Sequence, residues 1–327
     1  MSFGSSKQKF KRVFMATDIH GSEITFRKFL GAAKFYNVDA LIMAGDLTAK
    51  SITPIVKQKD GTYATRLAGG VREHLTEAEL GPIEQDIANS GPYPVRLTQE
   101  EYDALHANPK KVEELFTQLM IDEIHRWTDM AEKHLAPLDI PLYWIGGNDD
   151  KAEALAQASS TPHVRYVDEQ VVRFDEHHEL LGFGWTNISP WKTPRELEED
   201  ELARRLSPLL NQVEDPEHAI YLMHVPPYET GLDIAPKLDA TKDPPRPVTQ
   251  GGQQILIPVG STSVREAIEE HQPLLGLHGH IHETKNGTKI KRSVLVDPGS
   301  EYTSGTLRGV IVNIEPDRVL SYQFTSG

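Results

Sequence analysis

Short apolar runs recur along the chain, and each one ends at a polar residue or a glycine. Runs of this length with such boundaries are typical of strands that are buried on both faces. They are Val13–Ala16, Ala40–Ala44, Leu142–Ile145, Ala219–Met223, Leu274–Leu277 and Ser293–Val296. The sequence therefore predicts six buried strands.

The segment between the first two runs has the periodicity of a helix. Phe26, Phe29, Leu30 and Ala33 recur at helical spacing, which predicts a strand–helix–strand unit and an α/β fold. In such folds the polar groups at the carboxyl ends of the strands converge on one crevice, where ligands bind. We therefore expect the polar residues that follow the runs to lie together at a functional site.

The segment 49–138 interrupts this alternation of strands and helices. We interpret it as a mainly helical cap, inserted beside the crevice within a single domain that covers residues 1–327. The Asp60-Gly61 pair predicts a hairpin over Pro54–Leu67. The following stretch, Gly81–Pro94, is expected to be rich in turns.

A long helix is predicted at the end of this segment. Asn108 is a suitable N-cap and Pro109 a suitable first helical residue for a helix over Pro109–Leu135. Its apolar side is expected to pack on the core, with a dimer interface as the alternative. Further along the chain, Lys237–Gln253 is rich in Pro and Gly and is expected to be a long loop over the crevice.

The composition restricts the chemistry that the chain can perform. It has 327 residues, no cysteine, and 34 Lys and Arg against 48 Asp and Glu, which gives a formal charge of −14. Without thiols there are no disulfides, zinc fingers or cysteine nucleophiles, so any metal must be bound by His, Asp, Glu or Asn. The acidic balance argues against a nucleic-acid coat. Since no run reaches the roughly 20 apolar residues of a membrane span, we expect a cytoplasmic protein without a membrane partner.

Seven polar residues that follow the runs offer donor atoms for divalent metal ions. They are Asp18, His20, Asp46, Asn148, His224, His280 and His282. Seven donors exceed what one tetrahedral ion needs and suit two ions that share a carboxylate. Oxygen and imidazole donors suit borderline-hard cations such as Mn²⁺, Fe²⁺, Zn²⁺ or Ni²⁺.

The order of these residues resembles the motifs of the calcineurin-like metallophosphoesterase superfamily. The matching segments are Asp18-Ile19-His20, Gly45-Asp46, Gly147-Asn148-Asp149, His224 and Gly279-His280-Ile281-His282, and Asp297-Pro298-Gly299-Ser300 is similar to the family's Asn-Pro-Gly-Ser. The resemblance implies a four-layer αββα sandwich of two mixed sheets with a dinuclear metal centre. It also implies the ligand sets, namely Asp18, His20 and His282 for one ion, Asn148, His224 and His280 for the other, and Asp46 as the bridge.

Residue 149 departs from the family pattern. The family's third motif is Gly-Asn-His, and its histidine is thought to protonate the leaving group or to hold the phosphate, whereas this chain has Asp149. An aspartate near two dications is expected to have a depressed pKa and to be a poor general acid. Three consequences stay open. The first is that the leaving group departs with assistance from metal or water. The second is that a histidine of the insertion, such as His74 or His125, supplies the proton. The third is that the chain binds metal without turnover.

Together these features predict a metal-dependent phosphoesterase, with a phosphodiesterase favoured over a monoesterase. Two divalent ions, Mn²⁺ first with Fe, Zn, Ni or Mg as alternatives, would hold a bridging hydroxide that attacks a small phosphodiester. The catalytic residues would be Asp46, Asn148, His224 and Asp149. The alternatives are a weakly active or inactive metal-binding scaffold of the same fold, and a nuclease. The negative charge disfavours long polyanionic substrates, and a homo-oligomer formed through the insertion stays open.

Overall fold

Short strands alternate with α-helices in the structure, a computed structural model that describes residues 10–327. The helices are α1 (Glu23–Phe35), α2 (Glu77–Ser90), α3 (Gln99–His106), α4 (Pro109–Leu135), α5 (Ala152–Leu155), α6 (Glu199–Leu210) and α7 (Thr262–His271). The strands are β1 (Lys11–Ala16), β2 (Ala40–Ala44), β3 (Ile52–Lys57), β4 (Tyr63–Leu67), β5 (Gly70–Leu75), β6 (Tyr93–Leu97), β7 (Leu142–Ile145), β8 (Val164–Tyr166), β9 (Gln170–Arg173), β10 (Glu179–Phe183), β11 (Thr186–Asn187), β12 (Glu196–Leu197), β13 (Ile220–Met223), β14 (Ile234–Pro236), β15 (Leu238–Asp239), β16 (Arg246–Pro247), β17 (Thr249–Gln250), β18 (Gln253–Gln254), β19 (Leu256–Pro258), β20 (Leu275–Leu277), β21 (Asn286–Ile290), β22 (Ser293–Asp297), β23 (Arg308–Glu315) and β24 (Arg318–Ser326). Short 3-10 helices lie at Ala136–Leu138, Pro216–His218 and Tyr302–Ser304.

Two mixed sheets of six strands each form the centre of the protein. The first has the order β24-β23-β1-β2-β7-β8, in which β1, β2, β7 and β8 are parallel. The second has the order β21-β22-β20-β13-β10-β9, in which β22, β20, β13 and β10 are parallel. The six predicted strands are confirmed as β1, β2, β7, β13, β20 and β22, all of which belong to these parallel regions.

Alternation of side chains along the strands builds an apolar layer on each side of each sheet. Val13 and Met15 of β1 lie between the two sheets, whereas Phe14 packs on the outer face of the first sheet. Helices α1 and α4 cover that outer face, where the Phe26 ring stacks on Trp127 at a centroid distance of 4.1 Å. Helices α6 and α7 cover the second sheet. The predicted four-layer αββα sandwich is therefore confirmed.

The segment 49–138 contains a third sheet of four strands. Its order is β5-β4-β3-β6, and the predicted hairpin is confirmed by the antiparallel pairing of β3 with β4. The prediction of a turn-rich stretch at Gly81–Pro94 is wrong, because most of it is the helix α2. Thr76 and Glu79 form a capping box that starts this helix, and two of its apolar side chains are buried, which outweighs the helix-breaking residues Gly81 and Pro82.

Helix α4 connects this sheet to the sandwich. As predicted, it begins at Pro109 and is capped by the Asn108 side chain. Met120 packs beside Tyr93 of β6, and two turns further on the helix enters the layer that covers the first sheet, where Trp127 and Leu135 are buried. Neither α4 nor any other described helix is long and apolar enough to cross a membrane.

The expected long loop Lys237–Gln253 instead contains two short antiparallel pairs, β15 with β16 and β17 with β18. Gly251 and Gly252 both adopt positive φ values, of 61° and 82°, between β17 and β18. Two consecutive residues with positive φ form the turn that suits a two-residue hairpin loop. The glycines that suggested a loop therefore close a hairpin.

Candidate metal centre

All seven predicted donors lie at the carboxyl ends of parallel strands, in the crevice between the two sheets. They follow β1, β2 and β7 in the first sheet and β13 and β20 in the second. The sheets meet here, because Asp46 Oδ2 of the first sheet is 3.5 Å from His224 Nε2 of the second. The structure therefore brings together side chains that are up to 264 positions apart in the sequence, as Asp18 and His282 are.

One group of donors surrounds a single carboxylate oxygen, Asp18 Oδ1. His282 Nε2 lies 3.4 Å and His20 Nε2 3.8 Å from this oxygen, and the two imidazole nitrogens are 3.1 Å apart. Three donor atoms that face one another at such distances can coordinate one ion.

A second group surrounds the amide oxygen of Asn148. His280 Nδ1 lies 2.7 Å and His224 Nε2 3.0 Å from Asn148 Oδ1. Asp46 Oδ2 lies between the two groups, 3.5 Å from both His20 Nε2 and His224 Nε2. Asp46 is thus placed to contact ions on both sides.

Strained backbone holds several of these donors. Asp18, His20, Asp46 and His280 adopt positive φ values of 52°, 40°, 52° and 70°. Such a conformation is uncommon for residues other than glycine and costs of order 1–3 kcal/mol each. Four of the seven donors therefore lie on strained backbone, at the points where the chain leaves β1, β2 and β20.

Glycines allow the loops to approach the donors closely. A Cβ atom at Gly147 would overlap Asp46 Oδ1, and one at Gly279 would overlap Thr17 Oγ1 and Asp18 Oδ2. Any larger residue at these positions must displace a carboxylate of the site. The Gly-Asn and Gly-His pairs in the sequence are therefore explained by packing against Asp18 and Asp46.

The electrostatics of the crevice favour charged carboxylates. Burial opposes the ionisation of Asp18 and Asp46, but neighbouring histidines, mainly His282 and His224 for Asp18 and His224 and His20 for Asp46, hold both pKa values below the usual range. Burial acts to lower the pKa of His224, yet the charge of Asp46 raises it to about 9. The Asp46 carboxylate and the His224 imidazole therefore interact strongly across the crevice.

The donor set fits divalent metal ions. Asp18 Oδ1 and His20 Nδ1 are buried and have no hydrogen-bond partner, although an unpaired buried polar atom costs about 1–3 kcal/mol. Carboxylate, amide and imidazole donors without sulfur suit borderline-hard cations. An ion held by Asp18 Oδ1 would satisfy the unpaired oxygen and compensate the negative charge of the buried carboxylates.

A hydrogen-bonded chain fixes the orientation of the Asn148 amide. Asn148 Nδ2 donates to Thr193 Oγ1 at 2.8 Å, and Thr193 Oγ1 donates to Glu196 Oε1 at 2.7 Å. Because an ionised carboxylate can only accept, the direction of the chain is set. The amide oxygen must therefore face His224 and His280.

Backbone carbonyl groups contact the rings of two histidines on the second sheet, His224 and His278. His224 Nδ1 donates to the Ala44 carbonyl at 2.7 Å, which leaves Nε2 for the crevice. His278 Nδ1 is 2.9 Å and 3.2 Å from the carbonyl oxygens of Met223 and Val225, the neighbours of His224. These contacts orient the His224 imidazole before any ligand binds.

Asp149 lies at the rim of the crevice and pairs with Lys50. Its carboxylate Oδ2 is 2.8 Å from Lys50 Nζ and 3.9 Å from His20 Nδ1, and its backbone N donates to Asp46 Oδ1 at 2.9 Å. Burial and the charge of Asp46 raise the pKa of Asp149 to about 6, opposite to the depressed pKa that the sequence suggested. That expectation assumed bound cations, whereas the chain alone places this carboxylate among other acids.

The two histidines of the insertion lie elsewhere. The His74 side chain is 80% exposed and faces Asp60 at the hairpin, 3.7 Å away. His125 on α4 is 3.2 Å from the carbonyl oxygen of Gln157. Within the described residues, neither histidine contacts any of the seven donors.

Sequence reasoning missed the residues that support the donors. Lys50 follows Asp46 by only four positions, so its proximity could have been suspected from the sequence. Thr193 and Glu196 are more than 40 positions from Asn148, and no local pattern marks them. The Tyr302 ring, whose centroid is 4.8 Å from that of His20, is likewise brought in only by the fold.

Comparisons with known proteins agree with this fold. No protein-family model matches the chain. Over 172 residues it is 29% identical to an uncharacterized protein of Methanocaldococcus jannaschii, covering 51% of this chain and 69% of that protein. It is also similar to the crystal structure of TT1561 of Thermus thermophilus, with a TM-score of 0.51, 15% identity and coverage of 97% and 98% of the two chains.

A further crystal structure matches with a TM-score of 0.56 and 14% identity over 96% of this chain and 98% of the other. At such low identities the similarity is informative about architecture rather than activity. The protein therefore shares the overall fold of these solved structures.

Proposed function

We propose that the protein is a metal-dependent phosphoesterase that hydrolyses a small phosphodiester. The observation that carries the proposal is the convergence of seven oxygen and imidazole donors in two adjacent groups, with the Asp46 carboxylate between them. Two adjacent divalent ions are a common arrangement for phosphoryl chemistry.

The donor groups indicate which residues would hold each ion. Asp18, His20 and His282 would hold one ion, Asn148, His224 and His280 would hold the other, and Asp46 would contact both. When bound, such ions supply Lewis acidity, which polarises phosphoryl oxygens and lowers the pKa of water. Mn²⁺ is the first ion to test, and Fe²⁺, Zn²⁺ and Ni²⁺ are also compatible with a set of oxygen and imidazole donors.

The protein supplies rigid positioning rather than a nucleophile of its own. The Thr17 hydroxyl donates to Asp18 Oδ2 at 2.6 Å, and Ser300 Oγ donates to the Asp18 carbonyl. Both hydroxyls therefore orient Asp18. This arrangement favours water as the attacking group, with its position set by the fixed carboxylates and imidazoles.

The size of the substrate follows from the overall charge of the chain. The formal charge of −14 disfavours a long polyanion. A small phosphodiester is therefore the substrate class that we propose and test.

The experiment that tests this proposal is hydrolysis of bis(4-nitrophenyl) phosphate by the purified protein. We expect activity that is lost after treatment with a chelator and restored by Mn²⁺. Folding after chelation is checked by circular dichroism. A folded, metal-loaded protein that hydrolyses no phosphoester would contradict the proposal and favour the scaffold alternative.

A further inference from the structure

We propose that Lys50 binds a non-bridging oxygen of the substrate phosphoryl group, with Asp149 holding its ammonium in place. This inference rests on the proposed function, since it names the group that recognises the substrate at the same site. It concerns a residue that lies outside the seven donors, and it is carried by the geometry of the Lys50–Asp149 pair.

Lys50 is the only lysine or arginine within residues 10–327 whose side chain contacts Asp18, Asp46 or Asp149. Its Nζ atom is 2.8 Å from Asp149 Oδ2, and its side chain is 42% exposed. Asp149 is in turn tied to the centre, because its backbone N donates to Asp46 Oδ1. The ammonium is therefore fixed at the mouth of the crevice. Asp149 links it to Asp46, the carboxylate that lies between the two donor groups.

The backbone that carries Lys50 is held firmly. Thr48 N donates to Asp150 Oδ1 at 2.8 Å, and Ala49 N donates to the Tyr93 hydroxyl at 3.2 Å. Asp150 belongs to the sandwich and Tyr93 to the insertion, so both parts of the protein hold the two residues that precede Lys50. An anion-binding group on such a support loses little freedom when its ligand binds.

The ammonium retains donors for a ligand. An ammonium group has three N–H donors, and Asp149 is its one ion-pair partner within the described part of the chain. The same Asp149 oxygen that contacts the ammonium is 3.9 Å from His20 Nδ1, so the ammonium lies beside the donor groups. The remaining N–H groups can therefore donate to a phosphoryl oxygen bound between the donor groups and the rim.

Asp149 explains how a cation can lie beside a centre that binds cations. Two divalent ions would repel a free ammonium, but the Asp149 carboxylate offsets that repulsion and restricts Lys50 to one position. A phosphoryl anion would then meet positive charge from the centre and from Lys50. On this basis Lys50 contributes to substrate binding and orientation.

The test compares wild-type protein with Lys50→Met and Lys50→Arg, each reconstituted with Mn²⁺. Lys59→Met is the matched control, because Lys59 is an exposed lysine in the turn between β3 and β4. Calorimetry measures the binding of inorganic phosphate. Steady-state assays with bis(4-nitrophenyl) phosphate give KM and kcat, and elemental analysis gives the metal content. Lys50→Gln replaces Lys50→Met if the latter does not fold.

We expect Lys50→Met to bind phosphate about 10- to 100-fold more weakly, as for the loss of a charged hydrogen bond. KM should rise more than kcat falls, metal content should stay unchanged, and Lys50→Arg should restore most of the binding. Unchanged phosphate binding in Lys50→Met, an equal loss in Lys59→Met, or a loss explained by missing metal would overturn the inference.

The calorimetric arm separates this inference from the proposed function. If wild-type protein binds phosphate in a Lys50-dependent manner but hydrolyses no ester, the anion-binding role stands and the enzymatic proposal fails. If the wild type hydrolyses the diester and Lys50→Met does so with the same KM, the enzymatic proposal stands and the role of Lys50 is wrong.

Discussion

The two ends of the first central sheet both carry acidic side chains, but the two sets differ in burial and in their partners. At the amino ends of the strands, a cavity of about 380 Å³ is lined by Asp39, Asp139 and Asp175 among other residues. There the Asp139 side chain is 99% exposed, and Asp175 accepts hydrogen bonds from His178. At the carboxyl ends, Asp18 and Asp46 are almost completely buried.

The difference shows what separates a solvated acidic surface from a built site. At the amino ends, Asp39 accepts a hydrogen bond from Arg12 N, Asp175 accepts from the backbone N of His177 and His178, and Asp139 is open to solvent. At the carboxyl ends, Asp18 Oδ1 is buried without a hydrogen-bond partner, so it lacks the solvent contact that the 99% exposed Asp139 side chain has. Features that cost stability persist where they position groups for a ligand.

An Asp→Asn substitution at each end of the sheet tests this distinction with the largest expected effect. We expect Asp46→Asn to lower kcat/KM for the model diester by about 10³-fold, because the charge between the two donor groups is lost. Asp139→Asn, on the exposed acid of the opposite end, should leave kcat/KM unchanged within about twofold. Equal losses in steady-state assays of both variants would contradict the distinction.

Glycine replacements provide the next largest contrast. Gly147→Ala places a Cβ against Asp46 Oδ1, so we expect loss of metal binding and a free energy of unfolding lower by about 2 kcal/mol or more. Gly31→Ala on α1, where a Cβ has open space, should stabilise the protein by about 0.5–1 kcal/mol. Urea unfolding measures both, and a Gly147→Ala protein with normal stability and metal content would refute the packing argument.

A smaller effect is expected from the chain that orients Asn148. Thr193→Val removes the acceptor for Asn148 Nδ2 while conserving shape, so the amide can rotate away from His224 and His280. We expect a loss of about 10-fold in Mn²⁺ affinity, measured by equilibrium titration. Thr241→Val in the exposed β15–β16 turn is the control, and identical affinities for all three proteins would exclude the orienting role.

The last prediction concerns stability rather than activity, at a buried acid outside the seven donors. Glu123 accepts a hydrogen bond from the Tyr93 hydroxyl at 2.5 Å, and burial raises its pKa from 4.5 to about 8. Between these values the folded protein holds more protons than the unfolded chain, so stability should fall as the pH rises, by at most about 1.4 kcal/mol per unit. Glu123→Gln should flatten that slope in urea titrations from pH 5 to 8, and an unchanged slope would contradict the buried acid as its cause.

The sequence predicted the elements that depend on local pattern. The apolar runs identified β1, β2, β7, β13, β20 and β22, and the polar residues that follow them meet in one crevice. The helix α2 was missed because Gly81 and Pro82 suggest turns, although the Thr76–Glu79 capping box is a local signal that favours a helix. The burial of Leu80 and Ile87, which also favours it, depends on tertiary packing. Thr193, Glu196 and Tyr302 could not be predicted, because only the fold places them beside Asn148 and His20.

The central claim is that the carboxyl end of the sheets holds two divalent ions. The measurement that tests it most directly is titration of chelator-treated protein with Mn²⁺, followed by electron paramagnetic resonance and calorimetry. We predict two bound ions for the wild type and for Asp139→Asn, with spin coupling between the ions, and fewer than two for Asp46→Asn. Two ions bound equally well by Asp46→Asn, or none bound by the wild type, would contradict the account.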